Sequence, residues 1–199
     1  MLTLMAAPQL GHTGSAFEGM GASREVLFAA LAEPALFLCL ATVAHQTGSM
    51  SLSEMIAAVD PQVWVSRGPA LALLATALGI VLLAENSRIP VDDPETHLEL
   101  TMIHEVMVLD HGGPDLAFVL YGAALKLWVL SALLVGLVVP VRTGRPLLDA
   151  VAGLAGMFCT AVVIGAVESS RARLRLARIP KLLVGATALS ALALVLVLR

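Results

Sequence analysis

Five long apolar runs place the tightest limit on how this chain can fold. They cover residues 24–46, 68–84, 116–139, 147–167 and 182–198. Several approach or exceed the roughly 20 residues with which a helix crosses a ~30 Å hydrocarbon core. The alternative is a soluble protein with a very apolar core, but only 14% of the 199 residues are charged, which is little for a solvated surface. The sequence therefore predicts a polytopic membrane protein.

Each run is predicted to be a helix, because backbone groups in lipid must be paired inside the segment or in a closed barrel, and no barrel-like alternation is present. The fold class is thus all-α. The run at 68–84 is shorter than the others, or as short as them, and is expected to be slightly short for the thickness of the bilayer. Residues 49–64 (SMSLSEMIAAVDPQVW) predict a short interfacial helix, with Ser51 or Ser53 as N-cap and Trp64 as interface anchor.

A charge-dense segment, the acidic loop (residues 85–115), separates the second run from the third. Pro90 and Pro94 exclude a regular helix at its start. From Glu95 the loop is compatible with helix, and residues 111–114 (HGGP) end it. An arginine and prolines set among apolar residues favour a folded loop over a merely solvated one.

The basic residues predict the topology. With five spans, one side holds Arg24, Arg88, Arg171, Arg173, Arg175, Arg178 and Lys181. The other side holds Arg67, Arg142, Arg145 and Arg199. The richer side should be cytoplasmic, and it includes the acidic loop. The net charge of −3 indicates no particular partner, and no nucleic-acid partner is predicted.

Ionisable residues inside a span cost roughly 2.5 to 3.5 kcal/mol each, so they point to function by default. Glu33 lies mid-span, directly before Pro34, which frees a backbone carbonyl and lets the helix bend. Glu25 lies eight residues earlier on nearly the same face, so the two could line one polar path. In the alternative interpretation, Glu33 is a structural hydrogen-bonding group and Glu25 is merely interfacial.

Lys126 lies about halfway along the third span, and Glu168 closes the fourth. Lys126 either snorkels to an interface or has a buried partner. Candidates for that partner are Glu33 and a carboxylate of the acidic loop.

The acidic loop concentrates titratable groups. Three histidines, His97, His104 and His111, recur every seven residues, a spacing that could align them on one face of a helix. Clustered carboxylates and histidines can exchange protons near neutral pH. The candidate proton relay is His97, His104, Glu105 and Asp110.

A metal site is a more specific alternative to the proton relay in the acidic loop. However, His104-Glu105 lacks the second histidine of HExxH, and the carboxylates lack EF-hand spacing. Cys39 and Cys159 form no CxxC pair. We therefore expect no metal site in this chain.

The start of the acidic loop carries a family resemblance. Residues 84–95 (AENSRIPVDDPE), followed by LEL at 98–100, resemble the signature AETNRAPFDLPEAESEL of the proximal membrane subunit of respiratory complex I. Upstream, Arg24 and, nine residues later, Glu33 resemble that family's helix with an arginine and a membrane glutamate. Residues 48–56 (GSMSLSEMI) resemble its following loop.

The continuation favours one branch of that family. Residues 99–128 resemble the corresponding subunit of energy-converting, membrane-bound [NiFe] hydrogenases of the formate hydrogenlyase and hydrogenase-4 type. The complex I branch has a run like ELVAGYHTEYSG, and its last glutamate would fall on Met107. That departure argues against quinone reduction.

The resemblance implies a non-catalytic membrane subunit that anchors an arm carrying iron–sulfur clusters and the [NiFe] site, and that helps couple electron transfer to ion movement. It implies iron–sulfur, [NiFe] and antiporter-like membrane subunits as partners in the bacterial inner membrane, and no cofactor in this chain. By family matching, the coupling candidates are Glu33, Glu85, Arg88, Asp92, Glu95 and Glu99. The family has eight spans, so the resemblance also implies an N-terminal truncation or a split subunit.

The sequence and the resemblance are also compatible with three other functions. The first is the same role in complex I, with a quinone chamber. The second is an independent ion carrier, which predicts ion flux through the chain alone. The third is a structural anchor without an ion path.

Overall fold

The computed structural model describes residues 16–86, 113–140, 144–170 and 179–199; for residues 16–25, 116, 168 and 170 it describes the helix but not the side chain. Within these ranges the chain forms α1 (Ala16–Thr47), α2 (Leu52–Ala57), α3 (Pro61–Glu85), α4 (Pro114–Val138), α5 (Pro146–Ser170) and α6 (Ile179–Leu198). The described residues contain no strand, and the predicted all-α fold is confirmed.

Five of these helices are long and apolar enough to cross a membrane, as predicted. The apolar spans are Val26–Thr47, Pro61–Glu85, Ala117–Val138, Pro146–Val167 and Ile179–Leu198. All but the second begin and end within three residues of the predicted runs.

The second span is longer than the sequence predicted. Helix α3 begins at Pro61, seven residues before the predicted start, with Asp60 in extended conformation as its N-cap residue. Proline suits the first helical position because the N–H there would have no partner within the helix. Arg67 departs from helical geometry (φ −128°, ψ 26°), two residues before Pro69, and the chain kinks there. The apolar run that was expected to be slightly short for the bilayer is thus preceded by a further helical segment, which begins at Pro61 and ends at the kink.

The predicted short helix between the first two spans is α2. Ser51 is its N-cap residue, but its hydroxyl lies 3.0 Å from that of Ser53 and does not cap the backbone. Met55 and the following Val59 are buried, whereas the first residues of α2 are exposed. Helix α2 therefore presents an apolar side to the bundle and a polar side outward.

The core of the bundle consists of α1, α3 and α6, which pack against one another. Its largest fully buried side chains include Leu71 and Leu74 of α3 and Leu183 of α6. Helix α1 contributes a stripe of small buried residues, Ala29, Ala32, Ala35, Cys39 and Thr42. Small residues let helix backbones approach closely, which is how helices associate in a membrane.

The last two spans extend the bundle sideways, since α4 packs on α3 and α5 packs on α4. No residue in the membrane-crossing part of α5 is buried within the described chain. Helix α5 therefore holds its place mainly through its contact with α4.

Candidate coupling site

Two residues that the sequence singled out form an ion pair between neighbouring helices. The Nζ atom of Lys126, in the middle of α4, lies 2.6 Å from Oε2 of Glu85, the last residue of α3. The side chains of Lys126 and Glu85 are 23% and 12% exposed, so most of the surface of each is covered by the rest of the protein. Glu85 is also the first residue of the acidic loop. Of the two kinds of partner predicted for Lys126, the structure places the loop carboxylate beside it.

The end of α3 holds the Glu85 backbone in place. Asn86 follows as the C-cap residue, and its side-chain Nδ2 donates to the carbonyl of Leu82 at 2.8 Å. The Asn86 backbone N–H donates to the same carbonyl at 3.3 Å. Leu82 and Ala84, which precede the glutamate, are buried, so the last turn of α3 is packed against the bundle.

Glu33 lies deeper in the bundle than the ion pair. The Cys39 Sγ atom approaches the carbonyl oxygen of Leu74 at 4.0 Å, which marks a common level of the antiparallel helices α1 and α3. At a rise of about 1.5 Å per residue, Glu33 lies roughly 9 Å from this level and Glu85 roughly 16 Å, both on the same side. Glu33 is half-buried. Glu33, Glu85 and the ammonium that contacts Glu85 therefore lie on the same side of the Cys39–Leu74 level, in one half of the bundle.

Most of the other predicted site residues have side chains that the structure does not describe. Glu25 lies in α1 and Glu168 in α5, with only their backbones described. The remaining candidates, Arg88, Asp92, Glu95, His97, Glu99, His104, Glu105 and Asp110, lie outside the described residues. The structure thus brings Glu85 and Lys126 together and places Glu33 in the same half of the bundle.

Sequence reasoning missed a polar contact at the other end of the same helix pair. The indole Nε1 of Trp64, near the start of α3, donates to the backbone carbonyl of Leu137 in the last turn of α4 at 3.1 Å. Trp64 was predicted only as an interface anchor. A half-buried indole N–H usually finds a partner, so the residue type was a signal, but the sequence did not show which carbonyl accepts.

The arrangement brings two opposite charges into contact between neighbouring helices. Among the described residues, no group of three or more His, Cys, Asp or Glu side chains is placed to hold a metal ion. A carboxylate and an ammonium in contact at low dielectric attract each other strongly, so moving either group alters the local electrostatic field. Glu33 is a further acidic residue in the same half of the bundle.

Fold and site together define a class: a polytopic α-helical membrane protein with an ion pair where a span meets a polar loop. The family model described as NADH dehydrogenase matches residues 4–199 of the chain. The chain therefore belongs to this family, the complex I subunit 1 family that the loop motif resembles.

Two curated relatives place the chain near hydrogenases within that family. It is 30% identical over 177 residues to formate hydrogenlyase subunit 4 of Escherichia coli (strain K12), covering 85% of this chain and 56% of the relative. It is 37% identical over 129 residues to hydrogenase-4 component C of the same organism, covering 64% of this chain and 39% of the relative. The chain thus spans about half the length of the first relative and less of the second.

Proposed function

We propose that this chain is a membrane anchor and coupling subunit of a hydrogenase complex of the formate hydrogenlyase or hydrogenase-4 type. In this role it docks a soluble arm with iron–sulfur clusters and a [NiFe] site, and it helps couple electron transfer to translocation of protons or other ions. The family, the names of the two relatives and the intramembrane charges support this proposal.

The observation that carries the proposal is the double role of Glu85. Its carboxylate contacts Lys126 inside the bundle, and its backbone begins the acidic loop. A displacement of the loop when the soluble arm changes state would therefore pull on the ion pair. Separating the two charges in this partly buried site would cost free energy and would change the local electrostatic field.

In this scheme the contact between Glu85 and Lys126 breaks and re-forms as the acidic loop moves. Each change alters the electrostatic field in the half of the bundle that also holds Glu33. An ion that moves through this half would respond to that change, and the scheme needs no cofactor in this chain.

The same proposal places the chain in the bacterial cytoplasmic membrane, with the acidic loop on the cytoplasmic side. Support comes from the distribution of basic residues, because the loop lies on the richer side. The arm would dock there, beside antiporter-like membrane subunits.

The decisive test separates electron transfer from ion translocation in membrane vesicles that hold the whole complex. Glu85→Gln and Lys126→Met should each lower the number of protons translocated per hydrogen molecule formed, while hydrogen formation persists. Exchanging the two charges, Glu85→Lys with Lys126→Glu, should restore part of the loss. Lys181→Met, at an exposed lysine of α6, is the matched control and should change nothing. Unchanged translocation in both single variants would refute the coupling role.

The partners are tested by mass spectrometry after purification in mild detergent. We expect an iron–sulfur subunit and a [NiFe] large subunit to accompany the chain. Recovery of NADH-oxidising subunits instead would assign it to a complex I. Ion flux through the purified chain alone, without such partners, would support an independent carrier.

A further inference from the structure

One side of α4 carries a row of large side chains that the rest of the described bundle leaves exposed. This row, the α4 stripe, consists of Phe118, Tyr121, Leu125 and Trp128, which are between 43% and 74% exposed. Their spacing of three, four and three residues places them on one face of the helix. The same spacing is found where the side chains of one helix pack into those of another. The stripe therefore has the pattern of a helix-packing surface.

Trp128 of the stripe lies near the middle of the membrane. The hydrogen bond between Trp64 and Leu137 lies roughly 15 Å from the Cys39–Leu74 level, because Trp64 precedes that level by ten residues of α3. Helix α4 runs back towards the level, and Trp128 precedes Leu137 by nine residues, or about 14 Å. Trp128 is also close to the midpoint of its 22-residue span.

The indole N–H of Trp128 has no acceptor among the residues that the structure describes. Tryptophan is enriched at membrane interfaces, where its ring lies in hydrocarbon and its N–H pairs with water or headgroups. The centre of the bilayer is roughly 15 Å from either interface, so neither is within reach there. A lipid tail would cover the ring but leave the donor unpaired, which is unfavourable in an apolar medium. Lipid alone is therefore a poor fit for this position.

A second copy of this chain does not supply the acceptor either. Two copies have the same topology in the membrane, so a symmetric pair brings the same residue of each copy to the same depth. Beside Trp128, the exposed side of a second α4 offers another Trp128, Leu125 and Val129, and none of these has an acceptor side chain. The Tyr121 hydroxyl is seven residues away, which is roughly 10 Å along the helix.

We propose that the α4 stripe binds a transmembrane helix of a partner subunit, and that this helix presents a hydrogen-bond acceptor to the Trp128 indole near the bilayer centre. The acceptor is a Ser, Thr, Asn or Gln side chain, the types that form hydrogen bonds across helices in membranes. The facing helix carries small residues, because the large side chains of the stripe must fit between its own. This inference rests on the part of the proposed function that makes the chain a subunit of a membrane complex. It does not depend on the coupling role of Glu85.

Photo-crosslinking in native membranes identifies what covers the stripe. The photoreactive residue p-benzoylphenylalanine replaces Leu125, which lies between Tyr121 and Trp128, and the membranes are irradiated before the complex is purified. We expect an adduct with one transmembrane peptide of a partner subunit, which carries Ser, Thr, Asn or Gln in the middle of its span. Adducts with lipid only, with a second copy or with another segment of this chain would overturn the proposal. A partner peptide without such an acceptor would overturn it as well.

Trp128→Phe tests the indole N–H itself. The variant should lower the affinity for the crosslinked subunit roughly two- to ten-fold, the range for one hydrogen bond, measured as retention of that subunit during a detergent titration. The stability of the chain by itself should not change, because the N–H makes no bond within the described residues. Tyr121→Phe is the matched control. It removes a hydroxyl from the same stripe nearer the interface, where water or headgroups pair with it, and should leave retention unchanged. Normal retention in Trp128→Phe, or an equal loss in both variants, would contradict the contact.

A double-mutant cycle connects the two experiments. Replacing the acceptor of the crosslinked peptide by alanine should weaken retention in the parent complex but have little further effect in Trp128→Phe. Additive losses would show that the two groups do not interact. Recovery of the iron–sulfur and [NiFe] subunits without a partner adduct at Leu125 would end this inference and leave the proposed function standing. A partner adduct in a complex with NADH-oxidising subunits would do the reverse.

Discussion

Trp64 and Leu137 tie the start of α3 to the end of α4 through a hydrogen bond of 3.1 Å from the indole Nε1 to the backbone carbonyl. At the opposite end of the same helix pair, Glu85 of α3 contacts Lys126 of α4 at 2.6 Å. The two helices are therefore joined by two polar contacts, which lie near the two ends of α3 and at the last turn and the middle of α4.

Trp64→Phe should loosen α4 without disturbing the apolar packing. The substitution keeps an aromatic ring but removes the N–H, so the Leu137 carbonyl loses its donor. We expect a loss of about 0.5 to 1.5 kcal/mol in stability, measured by thermal unfolding in detergent. Trp128→Phe, at an exposed position of α4, is the control. Equal losses in the two variants would mean that the hydrogen bond contributes nothing specific.

The Glu85–Lys126 pair should show strong energetic coupling. A double-mutant cycle with Glu85→Gln and Lys126→Met measures the interaction separately from the effect of each residue. Each single variant leaves one charge without its partner, so we expect it to be less stable than the double variant. Additive effects in the cycle would show that the contact is too well solvated to matter.

Glu33→Gln should uncouple the complex while leaving it assembled. The amide preserves size and hydrogen bonding but cannot release a proton at any relevant pH. Proton translocation per electron pair should fall in vesicles, and the subunit composition should remain that of the parent. Glu54→Gln, at an exposed residue of α2, is a control that should leave both unchanged. If Glu33→Gln translocates normally, Glu33 is the structural hydrogen-bonding group of the alternative interpretation.

Much of the fold was predictable because span length and composition are local properties of the sequence. The start of α3 was not, because Arg67 and the segment before it interrupt the apolar run while Pro61 begins a helix there. The site was predictable only in part. A lysine inside a span requires a partner, but the choice of Glu85 depends on how α3 and α4 pack, and one sequence does not contain that information.

The buried polar groups illustrate the same limit. Trp64 and Gln46 lie near the ends of spans, where amphipathic and polar residues are common, so their types alone predict only an interfacial position. Whether each side chain has a hydrogen-bond partner depends on residues that are distant in sequence. Leu137 accepts from Trp64 across 73 positions, and Gln46 stands out because no such partner reaches it.

Gly156→Ala should weaken the attachment of α5 to α4. A Cβ atom at this position would lie 2.6 Å from Cγ1 of Val135, a buried and β-branched side chain that has little freedom to turn away. The helices must separate, at a cost of about 1 to 3 kcal/mol. Because α5 buries none of its span elsewhere in the described chain, this contact should decide whether it stays docked.

Gly153→Ala provides a closely matched control for this prediction. It is the same substitution on the same helix, but a Cβ atom there meets nothing within 4 Å. It should be neutral or slightly stabilising, since alanine favours helix over glycine by about 1 kcal/mol. Disulfide crosslinking between cysteines introduced on α4 and α5 reports the separation: it should slow in Gly156→Ala and stay unchanged in Gly153→Ala. Equal crosslinking rates in both variants would show that α5 is held by something other than its close approach to Val135.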